Sequence, residues 1–184
     1  MDELIDVLTK EGKPTGEAIP KSIIHQQGLY HNTAHIWFYT KKGEILLAQR
    51  SYNKAICPGL WDVSVAGHVD ADETVEDAAI REIREELGIT ITIQDLHKIG
   101  TFNCFQSYDN GIIDNEFHNT FLCEFKDDID KIIFQKEEVE AVKLVTIDEF
   151  ATLLANSKNN SHFVASNKSY YDIVIKQVKA NLKN

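Results

Sequence analysis

The stretch that decides the fold spans residues 67–89 and reads GHVDADETVEDAAIREIREELGI. Within it Glu82, Glu85 and Glu86 are three and four residues apart, a spacing that places their side chains over one face of an α-helix. An apolar face follows the same rule, because its members recur every four residues: Val75, Ala79, Ile83 and Leu87. Gly88 comes directly after them, where a left-handed helix cap is expected. The sequence therefore predicts a helix with one buried stripe and one stripe of carboxylates.

The carboxylate stripe is electrostatically unfavourable by itself. Between Asp70 and Glu86 the chain has eight acidic residues, and its only bases there are Arg81 and Arg84. Like charges four residues apart destabilise a helix by about 0.2–0.5 kcal/mol per pair. A hard cation such as Mg²⁺ would relieve this repulsion, because it takes several oxygen ligands beside substrate phosphates. The alternative is a solvated acidic face, the usual fate of a run of charges. Spacing alone leaves both interpretations open.

The segment resembles a Nudix box, the pattern Gly, five residues, Glu, seven residues, Arg-Glu-apolar-x-Glu-Glu-x-Gly-apolar. Every specified position is filled, by Gly67, Glu73, Arg81, Glu82, Ile83, Glu85, Glu86, Gly88 and Ile89. The resemblance implies an α/β/α sandwich with a mixed β-sheet that binds Mg²⁺ or Mn²⁺ and cleaves a diphosphate linked to another group. It implies Glu82, Glu85 and Glu86 as metal ligands and catalytic residues, with the carbonyl of Gly67 as a further ligand. Arg81 is expected to pair with Glu73 and fix the helix to its loop.

Composition sets the boundaries of this interpretation. The chain has 184 residues, of which 43% are hydrophobic and 26% charged, so we expect one domain over residues 1–184. Within it we expect an N-terminal strand and helix extension over 1–30 and a C-terminal helix within 160–184. A net charge of −10 argues against nucleic-acid partners, which need a basic surface. Three scattered cysteines suit the cytoplasm. No apolar run is long enough to predict a membrane span, and the sequence leaves a homodimer as one option.

Apolar patterning and turn residues place the remaining elements. Helical segments are predicted at 20–27, 74–87 and 169–182, and a capping-box pattern starts another at Thr146. A turn is predicted at 12–16, and a hairpin connection at 41–43. The predicted strands are 4–8, 34–40, 44–49, 61–66, 98–105, 116–125 and 139–145. Strands before and after one central helix predict a mixed sheet covered on both faces.

Residues outside the box resemble one branch of the family, the type I isopentenyl-diphosphate isomerases. These have two metal-binding histidines before the first long strand and a third after a Cys-Gly pair, and His25, His31 and His68 fall at similar places. Because a lone histidine is more often structural, we expect His25 and His31 to be structural or substrate-facing. The run from Arg50 to Lys54 resembles the phosphate-binding stretch of that branch, where both cations could make charge-assisted bonds.

For the substrate we therefore predict contacts with Arg50, Lys54, His68 and Glu73. The general base remains open among several carboxylates. The isomerases carry two acids near the metal, at the positions of Asp114 and Glu116 here. The remaining candidates lie before the last predicted strand or within the box: Glu137, Glu138 and the box glutamates.

The chain departs from the isomerases at one decisive position. Their catalytic cysteine, directly before the Gly-His pair, is replaced by Ala66. Moving a proton on and off carbon requires an acid and a base on opposite faces, and alanine provides neither. We therefore predict a Mg²⁺- or Mn²⁺-dependent Nudix pyrophosphohydrolase that acts on a nucleoside-diphosphate-type or other organic diphosphate. The alternatives are an isopentenyl-diphosphate isomerase and a non-catalytic Nudix ligand-binding module.

Overall fold

The computed structural model describes residues 2–157 and 168–183. The strands in these ranges are β1 (Leu4–Leu8), β2 (Pro14–Pro20), β3 (Tyr30–Tyr39), β4 (Glu44–Arg50), β5 (Trp61–Asp62), β6 (Val65–His68), β7 (His97–Ser107), β8 (Ile113–Glu124) and β9 (Val139–Thr146). The α-helices are α1 (Lys21–Gln27), α2 (Val75–Leu87), α3 (Ile147–Ala155) and α4 (Lys168–Asn181). Short 3₁₀ turns lie at Ile93–Asp95 and Ile129–Lys131. The predicted mixed α/β fold class is confirmed.

One mixed sheet connects all these strands, with the path β2-β1-β3-β4-β5 and four further strands beside it. Its centre is the long parallel pair of β3 and β8, which runs from Tyr30 opposite Asn115 to Tyr39 opposite Glu124. β6 pairs antiparallel with β3, β7 with β8, and β9 with β4. Three strands thus meet side by side in the order β6, β3 and β8.

The sheet has a hydrophobic core on each face. One core joins Ile36 and Phe121 of the sheet to Ile83 and Leu87 of α2. The other joins Trp37 and Leu122 to buried residues of the last two helices, among them Phe150 and Val174. Adjacent strand residues enter opposite cores because side chains alternate across a sheet. Helix α2 therefore covers one face of the sheet, and α3 and α4 cover the other.

Most predicted elements are confirmed, and the differences have local causes. The box helix begins after Thr74, whose side chain accepts a hydrogen bond from the amide of Asp77, and it ends at the left-handed Gly88. The capping box at Thr146 starts α3 as expected. The predicted turn at 12–16 was wrong in part, because β2 begins at Pro14. The predicted strand 61–66 is two strands, interrupted at 63–64. Residues 160–167 of the predicted C-terminal region lie outside the described residues.

Within residues 2–157 and 168–183, no helix combines the length and apolar character that crossing a membrane requires.

Candidate active site

The three box glutamates project from α2 towards the sheet, but they differ in burial. Glu86 is only 7% exposed, the side chain of Glu82 is 14% exposed, and that of Glu85 is 48% exposed. For Glu86, this burial rules out the solvated acidic face that was the alternative interpretation of the box. Glu82 and Glu86 are enclosed beside the apolar stripe of α2, whose central residue Ile83 packs on the neighbouring core, whereas Glu85 is about half exposed.

Burial without a matching cation changes the protonation of these acids. Burial and then the charge of Glu82 raise the pKa of Glu86 to about 8, and nearby Lys54 and Arg50 oppose this only in part. Burial also raises the pKa of Glu82, although Arg81 works in the other direction. A buried carboxylate is stable as an anion only when it is paired or binds a metal. The Glu82–Glu86 pair has the donor chemistry of a divalent-cation site.

Arg81 ties the box loop to the helix. Its guanidinium donates to both oxygens of Glu73, at 3.0 and 2.9 Å, to the backbone carbonyl of His68 at 2.9 Å, and to Glu82 at 2.7 Å. The expected pairing of Arg81 with Glu73 is confirmed. Glu73 itself is not among the residues that line the cavity described below. Its predicted substrate contact is therefore not supported, because Arg81 occupies both of its oxygens.

Gly67 lies directly beside the carboxylate of Glu82. A Cβ atom at this position would overlap the carboxyl carbon and one oxygen of Glu82. Glycine at this position therefore leaves space for the Glu82 carboxylate against β6, and no unusual backbone angle is involved.

A cavity of about 480 Å³ opens beside these glutamates. Apart from Glu73, all the predicted site residues contribute to its lining: Arg50, Lys54, Gly67, His68, Arg81, Glu82, Glu85, Glu86 and Glu116. The alternative base candidates Asp114 and Glu138 also line it, whereas Glu137 is exposed and does not. The fold therefore brings predicted site residues that are far apart in the sequence together around one cavity.

The two predicted phosphate-binding cations, Arg50 and Lys54, line this cavity, and a neighbouring carboxylate neutralises part of the charge of each. Arg50 donates to the carbonyl of Ile56 at 2.9 Å and lies 3.3 Å from the carboxylate of Asp62. Lys54 forms an ion pair with Glu138. Burial lowers the pKa of Lys54, and the charge of Glu86 partly restores it. Both cations are partly buried and not freely solvated, which strengthens their attraction for an anion.

A histidine cluster forms one wall of the cavity region. His25, His31 and His68 bring one ring nitrogen each to within 4.8 Å of one another. Nε2 of His25 lies 3.1 Å from Nε2 of His68. Nε2 of the fully buried His31 has no hydrogen-bond partner, and neither has Nδ1 of His25. Buried polar atoms without partners are rare and costly. Three imidazoles that converge in this way, with Nε2 of His31 unpaired, have the chemistry of a transition-metal site.

Two acids flank this cluster. Asp114 lies 2.9 Å from Nδ1 of His25, but the facing oxygen lacks hydrogen-bond geometry and remains unpaired. Glu116 lies between His31, at 3.7 Å, and His118, at 2.8 Å. Burial raises the pKa of Glu116, but the hydrogen bond from His118 and the charges of the neighbouring histidines together hold that pKa well below its ordinary value. Glu116 is consequently a weak base in this arrangement.

Sequence reasoning missed two functional candidates, His35 and His118. Both line the cavity, and their rings stack with centroids 3.7 Å apart. The signal was present in the strand periodicity. His35 lies four residues after His31 on β3, and His118 lies two residues after Glu116 on β8, so each pair shares a face. Because β3 and β8 pair in parallel, these four side chains become neighbours on the same face of the sheet.

Comparison with known proteins agrees with the box and the fold. A family model described as NUDIX domain matches residues 29–166. Nudix hydrolase 3 of Arabidopsis thaliana is 38% identical over 159 residues, which is 84% of this chain but only 20% of that protein. This chain thus spans about a fifth of that relative's length. Isopentenyl-diphosphate Delta-isomerase 2 of Photorhabdus laumondii is 32% identical over 157 residues, 85% of each chain.

Solved structures share the architecture. The crystal structure of DR0079 from Deinococcus radiodurans has a TM-score of 0.68 at 19% identity, over 97% of this chain and 98% of that one. The MutT protein from Methanosarcina mazei has a TM-score of 0.59 at 21% identity, over 84% of this chain and 96% of that one. At these identities the likeness shows the fold alone. The family match and the relatives above 30% identity show more: this chain belongs to the Nudix family.

Proposed function

We propose that the chain hydrolyses the diphosphate linkage of an organic diphosphate with Mg²⁺ or Mn²⁺ bound at the box glutamates. The observation that supports this most is the burial of Glu82 and Glu86 beside each other at the cavity. Glu85 and the carbonyl of Gly67 complete the proposed ligand set. When bound there, a divalent cation supplies positive charge against the phosphoryl group under attack.

The remaining roles belong to side chains of the cavity. Arg50 and Lys54 bind phosphate oxygens of the substrate, because both are partly buried cations that line the cavity. Glu85 is the box carboxylate most open to solvent, so it is the one that reaches an attacking water and takes its proton. Arg81 holds the carboxylate of Glu82 in its orientation through the hydrogen bond between them. Glu116 serves as a ligand or anchor, since its bond to His118 makes it a poor base.

The histidine cluster supports a second bound cation. The unpaired Nε2 of His31, together with the Nε2 atoms of His25 and His68 that lie 3.1 Å apart, fits a borderline metal such as Mn²⁺ or Zn²⁺. This assignment replaces the expectation that His25 and His31 are structural or substrate-facing. Equilibrium dialysis with metal analysis tests it: His31→Asn should lower the bound Mn²⁺ or Zn²⁺ by one equivalent, and His97→Asn, at an exposed position outside the cavity, should not.

A panel assay tests the hydrolase function. Nucleoside diphosphates, ADP-ribose, NADH, thiamine diphosphate and isopentenyl diphosphate are incubated with millimolar Mg²⁺ or Mn²⁺, and release of phosphate or monophosphate is measured. We expect turnover of at least one compound, and loss of it in excess EDTA. Full turnover with EDTA, or no turnover of any compound, would reject the proposal.

The second candidate is isomerisation of isopentenyl diphosphate. The histidine cluster and the relative from Photorhabdus laumondii favour it. Ala66 opposes it, because the cavity then lacks a thiol at the position that the isomerases use. A non-catalytic binding module is the least consistent alternative, since the carboxylate set is complete.

A further inference from the structure

His35 occupies a constrained position on the wall of the cavity. It lies on β3 with Ala66 of β6 opposite it. One face of its ring is covered by His118, at a centroid distance of 3.7 Å and an interplanar angle of 21°. The stack restricts rotation of the ring, so that its two nitrogens keep fixed directions.

The nitrogen Nδ1 of His35 belongs to a hydrogen-bond relay. Nε1 of Trp37 donates to the hydroxyl oxygen of Tyr170 at 2.8 Å, and that oxygen lies 3.2 Å from Nδ1 of His35. An indole N–H can only donate, so the Tyr170 oxygen is the acceptor in the first bond. The buried Tyr170 hydroxyl then donates its own hydrogen bond to Nδ1 of His35. This order places the proton of a neutral His35 on Nε2.

The charge state agrees with this relay. Burial, and after it the neighbouring His118, hold the pKa of His35 well below its ordinary value. His118 takes the opposite state: burial lowers its pKa, but bonds with Cys104 and Glu116 raise it to about 9. The stack therefore pairs a neutral ring with a protonated one, which avoids repulsion between two cations.

Nε2 of His35 is open to the cavity. Within residues 2–157 and 168–183 this nitrogen has no hydrogen-bond partner, and it is not fully enclosed by protein atoms. Ala66 opposite it is small and also lines the cavity, which leaves room for a ligand beside this nitrogen. His35, Glu116 and His118 lie close enough for a metal, but stacked imidazoles direct their lone pairs in parallel planes and not onto one point.

We propose that His35 is a specificity-determining residue, whose Nε2–H binds an acceptor oxygen on the group attached to the diphosphate. This inference rests on the proposed function and extends it to the organic part of the substrate. A hydrocarbon group in the same place would leave this donor unpaired in a water-poor pocket. Sites that hydrogen-bond a substrate hydroxyl reject the analogue without it, and leaving a buried donor unpaired is the reason.

A matched pair of ligands tests the proposal by binding. The probes are methylene-bridged diphosphonates, which cannot be cleaved at that bridge, of dimethylallyl alcohol and of its 4-hydroxy derivative. Titration calorimetry with Mg²⁺ measures both dissociation constants. We expect the wild-type protein to bind the hydroxylated probe about tenfold or more tightly, and His35→Leu to abolish that difference. His35→Gln, which keeps a donor, should retain part of it.

The outcomes separate the two proposals. Equal binding of the probes by the wild type, or an equal loss for both in His35→Leu, would overturn the role of His35 alone. Failure of both probes to bind would also overturn this inference, whereas the panel assay decides the diphosphate function separately.

The hydrogen-bond relay can be tested separately, because it determines which ring nitrogen of His35 carries the proton. Nitrogen-15 NMR of the wild-type protein should show His35 neutral at pH 7 with its proton on Nε2. Tyr170→Phe keeps the aromatic ring but removes the donor to Nδ1, so a mixture of tautomers and a severalfold smaller preference between the probes are expected. A proton on Nδ1 in the wild type would overturn the proposal.

Discussion

Glu86 is the residue at which folding and chemistry conflict most directly. It is buried next to Glu82, and Lys54 and Arg50 offset its charge only partly. Such a position is costly for the protein without a bound cation and favourable once one binds, because metal binding replaces the proton that burial retains.

Glu86→Gln should separate these two effects. Turnover should fall by orders of magnitude, because a charged ligand is replaced by a neutral amide of the same size. Glu76→Gln, on the same helix but outside the cavity lining, is the matched control and should retain wild-type kcat. A wild-type rate in Glu86→Gln would remove this residue from the site.

The same variant predicts a pH dependence of stability. The pKa of Glu86 is raised from 4.5 to about 8 on folding, so its contribution is most favourable below pH 4.5 and is lost as the pH rises towards 8. In metal-free protein, Glu86→Gln should therefore gain stability over the wild type across this interval. Urea unfolding in EDTA at pH 5 and pH 8 measures the gain. A constant difference between the two proteins would contradict the raised pKa.

Gly67 offers a second test at the level of one atom. Gly67→Ala should displace the Glu82 side chain, since the new Cβ would overlap its carboxyl group. The end of a flexible side chain moves easily, so the fold should survive while metal affinity falls. Isothermal titration with Mn²⁺ should show a loss in Gly67→Ala similar to that in Glu82→Gln. The double variant should lose little more than either single one, and full additivity would show that the two residues act independently.

At the scale of elements, the box is a loop and a helix joined by one guanidinium. Arg81 reaches the loop at Glu73 and the backbone at His68, and it touches Glu82 from the same side. Arg81→Ala should destabilise the protein by about 2 kcal/mol or more, because hydrogen bonds to charged groups are lost from a partly buried site. It should also lower activity and increase hydrogen exchange in residues 68–74. Arg84→Ala, an exposed position on the same helix, serves as the control, and equal behaviour of the two variants would refute the role of Arg81.

The elements that were predictable from sequence are those with a strong local signal. α2 has an apolar period, a capping threonine and a terminal glycine, so its bounds were found within one residue. β2 has none of these: it contains Pro14, Gly16 and Pro20, and it is held by pairing with β1. Such a sequence is typical of a turn, and it forms a strand here because it pairs with β1.

The site was predictable to the extent that its motif is continuous in sequence. The box supplied the glutamates, whereas the histidine pair that stacks in the cavity comes from β3 and β8, with 82 intervening residues. No local pattern states that these strands are parallel neighbours, and their register decides which side chains meet. The burial of Glu86 was also unpredictable from α2 alone, because it depends on the sheet that the helix covers.

At the scale of the whole molecule, the chain combines an isomerase-like frame with an intact hydrolase box. The histidine cluster and Glu116 are present, but Ala66 stands where a thiol is needed. With isopentenyl diphosphate and Mg²⁺ we therefore expect no dimethylallyl diphosphate, even on long incubation, by NMR of the reaction mixture. Ala66→Cys alone should not introduce isomerisation, because the hydrolytic carboxylates remain. Enzyme-level isomerisation by the unmodified protein would reverse the choice between the two functions.

The alternation of β3 has a consequence for how this protein can change over generations. His35 faces the cavity while its neighbour Ile36 belongs to the core over α2. A replacement at His35 or Ala66 alters the cavity and contacts with the core around Tyr170, but it leaves the opposite core over α2 in place. Deleting one codon within β3 would exchange the two faces and disrupt recognition and packing together. New substrate preferences are therefore accessible through point substitutions, whereas insertions and deletions within β3 would disrupt the fold.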